Sequence, residues 1–380
     1  MSLTESQLEH IRSRAQAYLE QVVETGIQIC AIPAPTGAEG KRAEFVASLF
    51  RERGYEPEID ALQNVYVRRK GRHPGPIVML LAHLDTVFPA ETSLNVVREG
   101  DILRGPGIGD NSLSVASLLA TLDMLDELKL ETEGDLLFVA DVGEEGLGNL
   151  CGARTAVDRF RETLGAVLVI DGSLGYVVHE AVGSKRWRIT VKGPGGHSYG
   201  AFGTASAIHG LAHLIVGITS LEIPEEPKTT YNVGVIEGGT SVNTIAAEAS
   251  ALLDMRSTDP AALQALADQV QAIVKRTAKD GLQTEITVLG ERPAGRRQRT
   301  DPLVQLAAST LRWLGMEPRF TSSSTDANIP INYGIPAVCV GVTQGHKAHT
   351  VEEWVTISPL GTGLAQVVRL AIEASSLVKK

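Results

Sequence analysis

Apolar residues return every three or four positions through the charged N-terminal segment, which predicts a helix over residues 5–30. Thr36-Gly-Ala-Glu39 has capping-box spacing and would open a second helix, with Gly54 as its stop. Residues 64–69 and 77–82 read as strands, and the second, IVMLLA, is apolar throughout, as in a strand covered on both faces. Residues 111–128 return to helical spacing, and DLLFVAD (135–141) and AVLVID (166–171) are two more buried strands. Helices alternating with buried strands predict an α/β domain with a largely parallel sheet. The pattern then changes. KRWRITVKG (185–193) alternates apolar and polar, as in a strand with one wet face. A helix over 204–219, strands at 229–238 and 244–256, a helix from Asp259-Pro260 to Gly281, and the strand LQTEITVLG (282–290) complete a ferredoxin-like β-α-β-β-α-β unit. The helix 302–315, the buried strand 337–341 and the helix 356–379 resume the first style. The expected organisation is one α/β domain, 1–183 with 294–380, interrupted by an inserted domain at 184–293.

Composition narrows the class. At 380 residues the chain exceeds what one core usually carries. Lys+Arg 35 against Asp+Glu 45 leaves −10, which argues against nucleic acid or an anionic membrane as partner. No apolar run is long enough to span a bilayer, and the N-terminus lacks a signal-peptide core. Cys30, Cys151 and Cys339 are odd in number and far apart, which fits buried reduced thiols in a cytoplasmic protein.

Ligand-type side chains collect at five places read as strand ends. They are His83 and Asp85 in LAHLDTV, Asp110 in GPGIGDNS, Glu144 and Glu145 in DVGEEG, Asp171 closing AVLVID, and His349 in GHKAHTVEEWV after AVCVG. Ligand sites in open α/β sheets lie outside the carboxyl ends of the strands. Imidazoles with carboxylates suit zinc, with cobalt or manganese as alternatives. Two His and three or four carboxylates exceed one tetrahedral shell, so two divalent ions are expected. No GxxxxGK[ST] or Arg cluster supports phosphate chemistry.

Together with GPGGHS, GGTSVN and DMRSTD, these motifs resemble the zinc-dependent metallopeptidase family of carboxypeptidase G, peptidase T, acetylornithine deacetylase, succinyl-diaminopimelate desuccinylase and aminoacylase-1. The resemblance runs along essentially the whole chain. It implies a zinc-exopeptidase-like α/β/α catalytic domain, with the inserted ferredoxin-like domain acting in dimerisation. It further implies His83 and Asp171 on one metal, Glu145 and His349 on the other, and Asp110 bridging both. His346 competes with His349, which the closely following acidic residues favour. Asp85 would hold the His83 tautomer, and Glu144 would be the general base in hydrolysis of an amide. The bond after Asp110 would be cis. His197 would stabilise the oxyanion of the partner subunit's site, and Asn243 and Arg256 would grip the substrate's backbone or carboxylate. Asn-Ser-Leu-Ser after Asp110, and Asp rather than Glu at 171, lean toward an exopeptidase on short peptides. N-acyl amino-acid deacylation is the alternative, and a peptide-binding relative without turnover is disfavoured by the intact Glu144 and ligand set.

Overall fold

The computed structural model describes residues 3–378 of the chain. It divides into two compact units, Met1–Ala181 with Arg297–Lys380, and Val182–Arg296.

The first unit opens with α1 (Glu5–Ala17), α2 (Leu19–Cys30) and α3 (Gly40–Glu52), so the single helix expected over 5–30 is two, divided at Tyr18. Strands β1 (Glu58–Ile59), β2 (Val65–Arg69), β3 (Ile77–His83), β4 (Val97–Glu99) and β5 (Ile102–Arg104) follow. Next come α4 (Leu113–Glu127), β6 (Leu136–Asp141), α5 (Cys151–Phe160), β7 (Leu164–Ile170) and β8 (Tyr176–Ala181). The main sheet runs β1-β2-β6-β3-β7, then β17 (Ala337–Val340) and β8, with β16 (Arg319–Ser323) beside β8. The central neighbours β6, β3, β7 and β17 are mutually parallel, whereas β2 and β8 join them antiparallel, so the sheet is mixed rather than nearly all parallel.

Side-chain alternation along β3 explains its unbroken apolar run. Val78, Leu80 and Ala82 enter the core under α1–α4, α8 (Pro302–Trp313) and α10 (Leu360–Leu377). Ile77, Met79 and Leu81 enter the core under α5 and α9 (Asn328–Asn332). A strand covered on both faces has no position left for a polar residue until it ends, and β3 ends on His83. A separate small sheet joins β4 and β5 to β18 (Gly345–His346) and β19 (Trp354–Thr356).

The second unit consists of β9 (Gly183–Lys192), β10 (Gly196–His197), α6 (Ala207–Thr219), β11 (Thr229–Gly238), β12 (Thr244–Ile245), β13 (Glu248–Ser257), α7 (Pro260–Thr277), β14 (Gln283–Arg292) and the short β15 (Gly295–Arg296). Its sheet order is β11-β13-β9-β14, antiparallel throughout, which is the ferredoxin-like order. Asp259 caps α7 by accepting the Ala262 N–H at 2.8 Å, with Pro260 as first helical residue. The helix stops at Thr277, ahead of Gly281, and the strand expected over 244–256 is interrupted between Ile245 and Glu248. One face of the sheet packs Trp187, Ile189, Val191, Leu253 and Met255 against both helices. Cys30 and Cys339 are buried and Cys151 is half-buried; all three are free.

Candidate metal centre

Three of the expected positions sit at the ends of neighbouring strands. His83 is the last residue of β3, Asp171 follows β7, and Glu144 and Glu145 lie on the loop after β6. Because β6, β3 and β7 are adjacent and parallel, their carboxyl ends stand side by side. The other two positions are not strand ends of this sheet. Asp110 lies in a tight turn, Ile108–Ser112, leading into α4, and the bond from Asp110 to Asn111 is cis. His349 lies between β18 and β19 of the small sheet, in a left-handed conformation at φ 65°.

Asp110 joins the two histidines. Its Oδ1 faces His83 Nε2 at 3.1 Å, and its Oδ2 faces His349 Nε2 at 3.0 Å. His349 Nε2 is also 3.0 Å from Glu145 Oε1. Ligand-type atoms of His83, Asp110 and Asp171 lie within 4.8 Å of one another, and so do those of Asp110, Glu145 and His349. These two trios share only Asp110. His83, Glu144 and Glu145 form a third such group. His346 belongs to none of them; its ring lies tilted against Trp354, centroids 5.0 Å apart.

The electrostatics follow from the surplus of acid. Burial and the nearby Asp110 push the Glu145 carboxyl up to about 7. Hydrogen bonding to Asp110, against the opposing effect of burial, raises the His349 imidazole to about 9. Burial opposes protonation of His83 too, yet Asp110 and Asp85 raise it well above the usual imidazole range. Four carboxylates and two imidazoles packed this closely call for added positive charge, and oxygen and imidazole donors in two trios with a shared carboxylate fit two divalent cations.

Asp85 does more than face His83. His83 Nδ1 is 3.1 Å from the Asp85 main-chain oxygen and 3.5 Å from its carboxylate. The carboxylate itself accepts the N–H groups of Glu144 (3.0 Å) and Glu145 (2.9 Å) and the Thr36 hydroxyl (2.8 Å). It therefore fixes the backbone of the loop that carries both acids. The Thr36 contact also overturns the expected capping box. The α3 N-cap is Glu39, with no side-chain cap, because Thr36 is engaged by Asp85.

In the second unit, His197 and Asn243 come together on the β10–β12 ribbon, where His197 pairs with Thr244. His197 Nδ1 accepts the N–H groups of Tyr199 and Gly200, both at 3.3 Å, so its neutral ring carries the proton on Nε2. Arg256 is not brought to them. It lies near the far end of β13, pairing across the sheet with Ser184 of β9, and its Nε donates to Asp254 at 2.7 Å.

Comparisons with known proteins divide along the same units. Residues 179–282 match the description "Peptidase dimerisation domain", and residues 64–180 match "Peptidase family M28". Over nearly its whole length, 94% of this chain and 99% of the relative, the chain is 26% identical to the uncharacterised Bacillus subtilis protein YqjE. It is 27% identical to a Schizosaccharomyces pombe peptidase M20 domain-containing protein, over 88% of this chain and 80% of that one. Residues 179–282 thus carry an M20-type dimerisation domain, and the chain is similar to M20 peptidases. Solved structures share its fold. A Staphylococcus aureus tripeptidase superposes with TM-score 0.81 at 22% identity, covering 94% of this chain and 99% of that one. The Bacillus subtilis YXEP protein, a dinuclear metal-binding M20 peptidase, superposes with TM-score 0.72 at 18% identity, covering 95% and 99%.

Two supporting residues of the site carry no sequence signal that spacing alone would reveal. Arg42, 1% exposed, donates to the carbonyls of Ile32 (2.8 and 2.6 Å), Leu84 (2.7 Å) and Cys30 (3.2 Å), and so holds the chain between His83 and Asp85. Burial lowers its guanidinium to about 10. Asp326, buried beside Asp141, lies in the segment Ser324-Thr325-Asp326-Ala327-Asn328, whose apolar-polar pattern is featureless. Among the described residues no helix is long and apolar enough to cross a membrane.

Proposed function

We propose that the chain is a two-metal exopeptidase of short peptides, with Glu144 as general base. The shared carboxylate carries this reading: Asp110 presents one oxygen to His83 and the other to His349, at 3.1 and 3.0 Å. His83, Asp110 and Asp171 would hold one ion, and Asp110, Glu145 and His349 the other. Zinc suits these donors, with cobalt or manganese as alternatives. Bound there, the two ions would acidify a water and polarise the scissile carbonyl. Glu144 lies in the third acid group with His83, and its backbone is fixed by Asp85, so it is aimed without being needed by either trio. It would take the proton from the attacking water and return it to the leaving amine. The Nε2–H of His197 is a donor suited to an oxyanion, and Asn243 on the same ribbon offers an amide to the substrate's backbone. Arg256 would meet a substrate carboxylate through its terminal N–H groups, since only its Nε is given to Asp254. The likeness to a tripeptidase supports short peptides as substrates.

Chelation should abolish hydrolysis of di- and tripeptides, followed by mass spectrometry, and Zn²⁺, Co²⁺ or Mn²⁺ should restore it. Glu144→Gln should retain two ions per chain and lose activity by about 10²–10⁴. Glu145→Gln should lose one ion. Equal metal loss in both variants, or full activity in a preparation shown metal-free by elemental analysis, would overturn the reading.

A further inference from the structure

The turn that carries Asp110 closes only part of its own hydrogen bonding. Residues 105–110, Gly-Pro-Gly-Ile-Gly-Asp, form no strand, and the Ile108 N–H meets the Gly105 carbonyl at 3.3 Å. The other N–H groups of this stretch are taken by Glu353, a residue more than 240 positions away that is 2% exposed. Glu353 Oε2 accepts the Gly107 N–H at 2.6 Å. Its Oε1 accepts the N–H groups of Gly109 at 2.7 Å and Asp110 at 2.9 Å. Its main-chain carbonyl accepts the Gly105 N–H at 3.0 Å. One acidic residue thus receives four donors from six consecutive residues, like a template against which the turn is moulded.

The glycines are part of this arrangement. A Cβ on Gly109 would stand 2.9 Å from Glu353 Oε1 and 2.6 Å from a Val355 methyl, so only glycine lets the carboxylate approach the backbone. Gly107 has φ 80°, a left-handed conformation that side chains disfavour, and its Cβ would stand 2.9 Å from a Thr86 methyl.

Glu353 also lies four residues beyond His349, in the same β18–β19 connection. The connection is braced at Glu353 by a backbone bond to Thr350 (3.1 Å) and by the Lys347–Glu352 ion pair. A shift of Glu353 would therefore move His349 and Asp110 relative to each other, and these two face each other at 3.0 Å. We propose that Glu353 is a positioning residue that sets the spacing between Asp110 and His349, and through it the hold on the second ion. The proposal rests on the two-metal reading above. It assigns Glu353 neither a ligand nor a proton-transfer role.

Glu353→Gln keeps size but replaces one acceptor oxygen with an amide group that faces N–H donors. Gly109→Ala disturbs the same contact from the turn side and leaves the acid in place. Either variant should release one ion to a competing chelator at least about tenfold more readily while the other ion stays at wild-type affinity. With both ions saturating, kcat should fall by about 10–100-fold and KM should change by less than about threefold. Val351→Ala, exposed in the same loop, is the control and should match wild type. Should Glu353→Gln fail to fold, Gly109→Ala and Glu353→Asp test the same contact. Both ions held as in wild type, in a folded variant that has only a lower Tm, would overturn the proposal, as would equal weakening of the two ions. The metal readout needs no substrate, so a chain inactive on every peptide tried would count against the exopeptidase reading and leave this result standing.

Discussion

A single buried carboxylate, Asp85, receives two backbone N–H groups and a hydroxyl, and the loop of Glu144 and Glu145 depends on it. Asp85→Asn would keep one acceptor and turn an amide N–H₂ toward a donor. A buried N–H left without an acceptor costs about 1–3 kcal/mol, so the variant should melt earlier and lose kcat together. Thr36→Val removes only the hydroxyl contact and should have the smaller effect on both. Thermal melts and steady-state kinetics on the two variants check the order; a larger effect at Thr36 would count against the clamp. The sequence made the acids and imidazoles legible as motif residues, His83, Glu144, Glu145 and Asp171 because each follows an apolar run, Asp110 and His349 through the short motifs around them. It did not reveal Arg42 or Glu353. Both act on main-chain atoms, and no spacing says which carbonyl a guanidinium meets or which N–H a carboxylate accepts.

At the scale of elements, strands were easier to read than helix ends. An apolar run such as Ile77–Ala82 admits few conformations once covered on both sides, whereas a helix start depends on which partner wins a hydroxyl, and at Thr36 the winner was Asp85. The break at Tyr18 is similar. Its ring lies where α1 meets α2, and its hydroxyl donates to Glu127 at the end of α4 at 2.7 Å. Just after α3, Tyr55 donates to Asp126 at 2.7 Å. The end of α4 is thus tied down by two phenols. Burial first, then the carboxylate that each bonds, raises both from the ordinary 10.0 to about 12. In the unfolded chain these phenols ionise near 10, while in the folded chain they remain protonated. Their contribution is therefore complete below pH 10 and is lost as pH rises toward 12. Urea midpoints measured across that range should fall in the wild type. The Tyr18→Phe/Tyr55→Phe double variant should start lower and fall less steeply. Parallel curves would refute the linkage.

For the whole molecule, the inserted ferredoxin-like unit was legible because apolar runs gave way to alternation at residue 185. Its edge strand β11 leaves Val235 and Ile236 exposed at 42% and 59%, and an uncovered edge of this kind suits pairing with a second copy. The proposed sharing of His197 between subunits makes a prediction that neither unit alone could satisfy. Glu144→Gln and His197→Ala chains, each inactive, are unfolded, mixed and refolded together. Random pairing makes half of the dimers mixed, each with one intact site, so about a quarter of wild-type activity should return. No recovery from a mixture shown by light scattering to be dimeric would place His197 in its own chain's site or in none.

Chain order and sheet order disagree in the first unit, and this bears on how the protein is made. Strand β17 pairs with β7 on one side and β8 on the other, yet Ala337–Val340 is synthesised after the entire insert. A chain leaving the ribosome therefore completes the continuous unit Val182–Arg296 while β7 and β8 still lack the strand between them. During that interval the apolar run Ala166–Ile170 stands as an open edge, the kind of surface that recruits neighbouring chains. The insert thus lengthens, by its own synthesis time, the period in which the sheet that will carry the metal centre is unfinished.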